Sequence, residues 1–205
     1  MKITNNLFLL LLIVLISVAC TGKSEPEPLK VPESLQGLFV DSPATKLPDF
    51  RFTDHNGKLF DVSRFKNNWS LVFFGYTNCP DVCPNSLSIM DKISKQDGLP
   101  KNMQYVFVSV DPKRDTPAKL KEFVEYFNAD FIGATGPKAE LDKFQEPLGV
   151  IYDYEGDTTS GDYVVNHFAA IYIIDPQGRE RAYILPPHSE AQVAEAFKLV
   201  YNHYK

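Results

Sequence analysis

The sequence predicts an α/β fold, a single layered domain built around a buried sheet, and three observations predict it. Two apolar runs, "SLVFFGY" (70–76) and "QYVFVSV" (104–110), lack the polar alternation of a half-exposed strand, so both read as strands covered on two faces. Helical periodicity follows each run: Leu87, Met90 and Ile93 after the first, then Leu120, Phe123, Val124 and Phe127 after the second. Two further strand-like runs and a capped helix close the chain, giving the order βαβ, a helical connection, then ββα.

Taken in order, Phe50–Thr53 and Lys58–Val62 flank "DHNG", whose Asn56-Gly57 favours a tight hairpin turn. The strand 70–76 leads straight into two cysteines and a helix. Thr116-Pro117 is a cap followed by a first-turn proline and opens the helix after strand 104–110. A strand–helix pair is expected over 130–148. "FAAIYIID" (168–175), a turn at Pro176–Gly178 and "ERAYIL" (180–185) read as an antiparallel hairpin. Ser189 with Gln192 makes a capping box for the last helix, which turns Val193, Ala196, Phe197 and Val200 inward. This order describes a thioredoxin-like sandwich with an added N-terminal hairpin and a C-terminal ββα unit.

With 205 residues, 44% of them hydrophobic and including 15 Phe and 10 Tyr, the chain has material for one full core. A net charge of −5 and the absence of any Lys/Arg run exclude nucleic acid as a partner. The amino end is not expected to fold with the rest. The apolar run "LFLLLLIVLISVA" (7–19) is shorter than the roughly 20 residues of a membrane span and suits a signal peptide over 1–19. "SVAC" resembles the lipobox of bacterial lipoproteins, which would make Cys20 an acylated N-terminus; an uncleaved signal anchor is the alternative. Either way the domain is exported and tethered, on the outer face of the cytoplasmic membrane or facing the periplasm. Residues 20–46, rich in Pro, Glu and Ser, read as a tether, and the folded domain as 47–205.

Cys79 and Cys83 stand in "CPDVC" at the end of a buried strand and ahead of a helix. As a structural disulfide they would close too short a loop to add much stability. A helix N-terminus lowers a thiol's pKa, so the place favours reactive chemistry: a redox dithiol or a metal site. Disulfide exchangers of this fold use C-x-x-C and set a proline before the strand facing the dithiol. Here the spacing is longer, no proline lies between Ser160 and Asp175, and His167 stands where that proline is expected. Two thiolates and an imidazole suit copper, Cu(I) through the sulfurs and Cu(II) with the nitrogen added. Zinc accepts the same donors, but its closed structural sites usually have four. A peroxidase reading is weaker, because no proline lies upstream in the "GYTNC" loop.

At this point "FFGYTNCPDVCP" (73–84), "VSVDPKRDTPAKLKEFVEYF" (108–127), "GATG" (133–136) and "HFAAIYIIDPQG" (167–178) together resemble the Sco/SenC proteins, copper-binding assembly factors for cytochrome c oxidase. The resemblance implies a thioredoxin-like fold with an inserted hairpin and copper held by Cys79, Cys83 and His167. It also implies delivery of copper to the dinuclear site of oxidase subunit II, reduction of that site's cysteines, or both, with a copper donor protein upstream. Asp111 and Asp115 match the family's acidic motif. Two readings of them stay open: Asp115 caps a helix with Thr116 while Asp111 shapes a turn, or both serve copper loading or docking. Asn166 departs from the Asp that many members carry there. His55, His188 and His203 are expected at the surface, and Met90 in the core.

Overall fold

A computed structural model describes residues 27–205; the signal region and Cys20 lie outside the described residues. The strands are β1 (Leu38–Lys46), β2 (Arg51–Asp54), β3 (Leu59–Asp61), β4 (Trp69–Gly75), β5 (Met103–Ser109), β6 (Ile132–Thr135), β7 (Tyr152–Asp157), β8 (Asp162–His167), β9 (Ile171–Ile174) and β10 (Arg179–Ile184). The helices are α1 (Val82–Ser94), α2 (Pro117–Phe127), α3 (Lys138–Gln145) and α4 (Glu190–Tyr204). Eight strands form one sheet in the order β1-β10-β9-β4-β5-β6-β2-β3, while β7 and β8 form a separate two-stranded sheet.

β4 occupies the middle because every one of its residues is buried. Trp69, Leu71 and Phe73 enter the core under α1, α2 and α4; Val72 and Phe74 enter the opposite core, against Phe144 of α3. It pairs in parallel with β5 and antiparallel with β9, so its backbone is satisfied on both edges. The expected N-terminal hairpin is β2–β3, which joins the sheet through β6. Gly57 takes φ +75 in its turn, a backbone that glycine adopts without steric cost. Phe50, Phe52, Phe60, Phe65 and Phe144 cluster beneath it, with neighbouring ring centroids 4.3 to 6.3 Å apart. Full burial of each such ring contributes about 1.5–3 kcal/mol.

Two expectations need correction. The tether over 20–46 is shorter than the sequence suggests: a 3₁₀ turn at Glu33–Leu35 and β1 belong to the folded domain. β1 pairs antiparallel with β10, and Leu35 and Leu38 are buried in the core that includes Val193, Ala194 and Phe197 of α4. Its polar "DSP" stretch lies where the register shifts between Val40 and Thr45, so Pro43 removes no ladder hydrogen bond. The capping box of α4 is also only half made. The Ser189 hydroxyl accepts from the Gln192 N–H at 3.2 Å, but the Gln192 amide donates to the Gln36 carbonyl at 2.8 Å and ties the helix to the approach to β1.

Candidate metal centre

The site starts at the end of β4. After Gly75 the chain turns, the Cys79 N–H donating to the Tyr76 carbonyl at 3.2 Å, and α1 begins at Val82. Cys83 lies in the first turn of α1 and is fully buried; Cys79 precedes the helix and is half-buried. Only Cys83 is helical, and the turn ahead of α1 brings Cys79 back beside it. Gly75 makes room for it. A Cβ there would lie 2.6 Å from the Cys83 sulfur and 2.9 Å from the Phe107 ring, closer than real Cβ atoms come.

His167 arrives from elsewhere. It was expected to head the strand at 168–175, but it ends β8, in a hairpin outside the main sheet. Its Nε2 stands 3.5 Å from the Cys83 sulfur, and its ring meets Phe73 and Tyr76 edge to face at 6.0 and 6.1 Å. Donor atoms of Cys79, Cys83 and His167 all fall within 4.8 Å of one another. The imidazole's other nitrogen, Nδ1, is buried without a hydrogen-bond partner among the described residues.

The two thiols divide their proton unequally. A hydrogen bond from Cys83 is the main influence drawing the Cys79 thiol far below the ordinary range, with His167 and the backbone N–H groups of Asp81 and Cys83 adding to it against burial. The same bond to Cys79, together with burial, pushes Cys83 up. These opposite directions favour Cys79 as the thiolate and Cys83 as the proton's holder.

Asp111 and Asp115 are buried beside this site and stand behind its walls. Thr116 alone caps α2, its hydroxyl accepting from the Lys119 N–H, so the expected cap role of Asp115 is not made. Instead, Asp115 accepts from the Thr77 N–H at 2.9 Å, the Thr77 hydroxyl at 2.6 Å and the Ser109 hydroxyl at 2.6 Å. It thereby fixes the turn just ahead of Cys79. Asp111 accepts from Arg114 Nε at 2.5 Å and the Tyr163 hydroxyl at 2.6 Å. Asn166 is exposed and donates to Glu155 at 3.1 Å. Met90 is fully buried, as expected.

Two histidines read as surface residues are not. His55 accepts from the Gly133 N–H at 3.0 Å through Nδ1, pinning the β2–β3 turn to β6. His188 bonds the Ser86 hydroxyl at 2.9 Å and the Ile184 carbonyl at 3.0 Å, joining α1 to the end of β10. His203 is partly exposed, with Nε2 2.7 Å from the Glu27 carbonyl. Gly75, Tyr76 and Arg114 shape the site and were not singled out from the sequence. The signal for Tyr76 and Gly75 was their place next to the cysteine loop.

A family model, SCO1/SenC, matches residues 40–202. The chain belongs to the SCO1/SenC family. The match begins inside β1, in keeping with the longer folded domain. A SCO2-like protein of Rickettsia conorii is 34% identical over 191 residues, covering 87% of this chain and 90% of that protein. Among solved structures, Bradyrhizobium japonicum ScoI with copper bound is 34% identical with a TM-score of 0.64, covering 77% of this chain and 99% of that one. A SCO1/SenC family lipoprotein of Bacillus anthracis is 26% identical with a TM-score of 0.63, covering 76% and 95%. The thioredoxin-like fold expected from the sequence stands. In this SCO1/SenC chain Cys79, Cys83 and His167 form the candidate metal site.

Proposed function

We propose that the protein holds copper between Cys79, Cys83 and His167 and passes it to the dinuclear copper site of cytochrome c oxidase subunit II. One observation carries this reading: two sulfurs and one imidazole nitrogen converge within 4.8 Å at a site whose outer members, Cys79 and His167, are only partly buried. Soft thiolates favour Cu(I), and the added imidazole suits Cu(II). Three donors with a reachable edge let a metal arrive from a donor protein and leave again, whereas a fourth protein ligand would close the site. Copper in the Bradyrhizobium structure supports the choice of metal. The apolar run 7–19 ahead of Cys20, and the fact that the Bacillus relative is a lipoprotein, support a lipid tether at Cys20 in an exported protein.

The test is copper affinity and spectrum of wild type beside His167→Ala. Loss of a partner that merely supports a ligand costs about 10–100-fold in metal affinity, so removing the imidazole should weaken Cu(II) by about 100-fold or more. Cu(I), held by both sulfurs, should change far less. Equal Cu(II) binding by both proteins would remove His167 from the site.

A second reading rests on the unequal thiols: a thiol–disulfide reductase of the oxidase's cysteines. The Cys79 thiolate would attack one sulfur of the target disulfide, and Cys83 would resolve the mixed disulfide, leaving Cys79–Cys83 oxidised and two target thiols. Such an activity needs no imidazole ligand. Normal oxidase copper content in cells carrying His167→Ala would favour it over transfer.

A further inference from the structure

Among the described residues, the hairpin that ends in His167 has no strand partner outside itself, since β7 and β8 pair with each other. An isolated two-stranded hairpin is marginal in water, so its orientation depends on side-chain ties. Some ties are apolar: Tyr163 and Val165 are buried in the core on that side of the sheet. On β7 the Tyr154 hydroxyl donates to the Val110 carbonyl at 2.6 Å and the Tyr152 hydroxyl to Asp142 at 2.9 Å; the ties of the β8 side, which carries His167, gather around one residue. Arg114, in the loop between β5 and α2, donates through Nη1 to the carbonyls of Gly161 at 3.1 Å and Tyr163 at 2.8 Å. Its guanidinium carbon lies 3.5 Å from the centroid of the Tyr163 ring. Its Nε donates to Asp111, which also takes the Tyr163 hydroxyl, so one buried carboxylate closes the loop of contacts.

Arg114 reaches the cysteine side as well. The same guanidinium lies 5.5 Å from the ring centroid of Tyr76, which opens the turn to Cys79 and stands edge to face with His167. Hairpin, cysteine turn and the 109–116 loop therefore meet at one planar cation. Only a rigid fork can serve an acid, two carbonyls and a ring face at once; an ammonium is a single point charge.

We infer that Arg114 is a positioning residue, holding the β7–β8 hairpin against the cysteine turn so that the His167 imidazole reaches both sulfurs. The inference rests on the copper reading above. It assigns Asp111 to the anchoring of Arg114 and separates it from Asp115, which orders the cysteine turn directly.

The experiment uses the full-length protein as wild type, Arg114→Gln, Arg114→Lys, the double variant Arg114→Gln/Asp111→Asn, and His167→Ala. The double variant leaves no buried charge unpaired, so it decides the question where the single variant fails to fold by circular dichroism. Cu(II) affinity, the thiolate-to-copper absorption band and Cu(I) affinity are read for each. The expected result is a loss of about 10–100-fold in Cu(II) affinity with a weakened band in all three Arg114 variants, and Cu(I) affinity within about threefold of wild type. Failure of lysine to rescue is part of that expectation. Wild-type Cu(II) affinity and spectrum in the Arg114 variants, with both lost in His167→Ala, would overturn the inference and leave the copper reading intact. An equal loss of Cu(I) affinity would also overturn it, because the residue would then support the fold of the cysteine turn. If His167→Ala itself matched wild type, the copper reading would fall and this inference with it.

Discussion

Cys79 and Cys83 follow β4, a strand buried on both faces between β5 and β9, whereas His167 ends β8, which among the described residues pairs with β7 alone. Around the cysteines, Cys83 is locked under Gly75 and against Phe107, and Asp115 pins the turn through three hydrogen bonds. The hairpin's first strand is mostly exposed, and the hairpin is held by Tyr163, Val165, Arg114 and the hydroxyls of Tyr152 and Tyr154. The difference teaches how one site serves two oxidation states on the copper reading. The donors that Cu(I) needs sit on the close-packed part of the fold, where a displacement of one methyl group is felt. The donor that Cu(II) adds sits on the part held by a few ties, so the imidazole can be perturbed separately from the sulfurs.

The comparison breaks most visibly at Gly75. Gly75→Ala would push a Cβ into the Cys83 sulfur and the Phe107 ring, an overpacking that costs about 1–3 kcal/mol where the surroundings cannot move. The expected outcome is a clear fall in denaturation midpoint and parallel loss of Cu(I) and Cu(II) binding, seen by titrating the refolded protein with each ion. Loss of Cu(II) alone would mean that the cysteine side yields as readily as the hairpin, and the contrast between them would be wrong.

The same contrast explains what the sequence disclosed. β4, β5 and the four helices were legible because doubly buried strands and amphipathic helices leave unbroken or periodic apolar patterns. β1 was hidden because an edge strand tolerates Asp41, Ser42 and Pro43 where its ladder shifts, and such residues look like linker. β7 was hidden by its exposure: "YDYEGD" buries little, and only the spacing of Tyr152 and Tyr154 against Tyr163 and Val165 marks a paired strand. The three residues of the candidate site are readable from residue type and place. Arg114, His55 and His188 were not, because each acts through contacts between segments far apart in sequence.

A smaller effect sharpens the account of the cysteine side. Because the hydrogen bond lowers the Cys79 pKa and raises that of Cys83, binding Cu(I) near pH 7 should release about one proton, where two ordinary thiols would release about two. Calorimetry in buffers of different ionisation enthalpy measures this. The same shifts set the pH dependence of the apo protein. Because the Cys79 pKa is lowered on folding, stability should rise as pH climbs toward the ordinary thiol value of about 8.5 and fall away as pH drops through the folded value. Cys83, raised on folding, should take stability away above that range. Release of about two protons would show that the hydrogen bond between the thiols does not polarise them in solution.

The smallest effect is expected at Asn166, and it tests whether the two faces of the hairpin are separate. Along β8 the side chains alternate, so Asn166 is exposed while Val165 is buried and His167 meets the sulfurs. Asn166→Asp would set a carboxylate across from Asp153 and near Glu155, which now accepts the Asn166 amide. Like charges facing across a strand pair weaken it, but exposed pairs change stability by no more than about 1 kcal/mol and are screened by salt. The hairpin should therefore loosen slightly at low ionic strength, with Cu(II) affinity within about threefold of wild type and the difference vanishing as salt is raised. Cu(I) affinity should not move. A large shift in Cu(II) affinity that persists at high salt would mean that the charge acts on the imidazole directly, through the strand rather than through the stability of the hairpin. The residue before His167 would then belong with Arg114 among those that set the ligand, and the outer face of β8 could no longer be treated as indifferent to the metal.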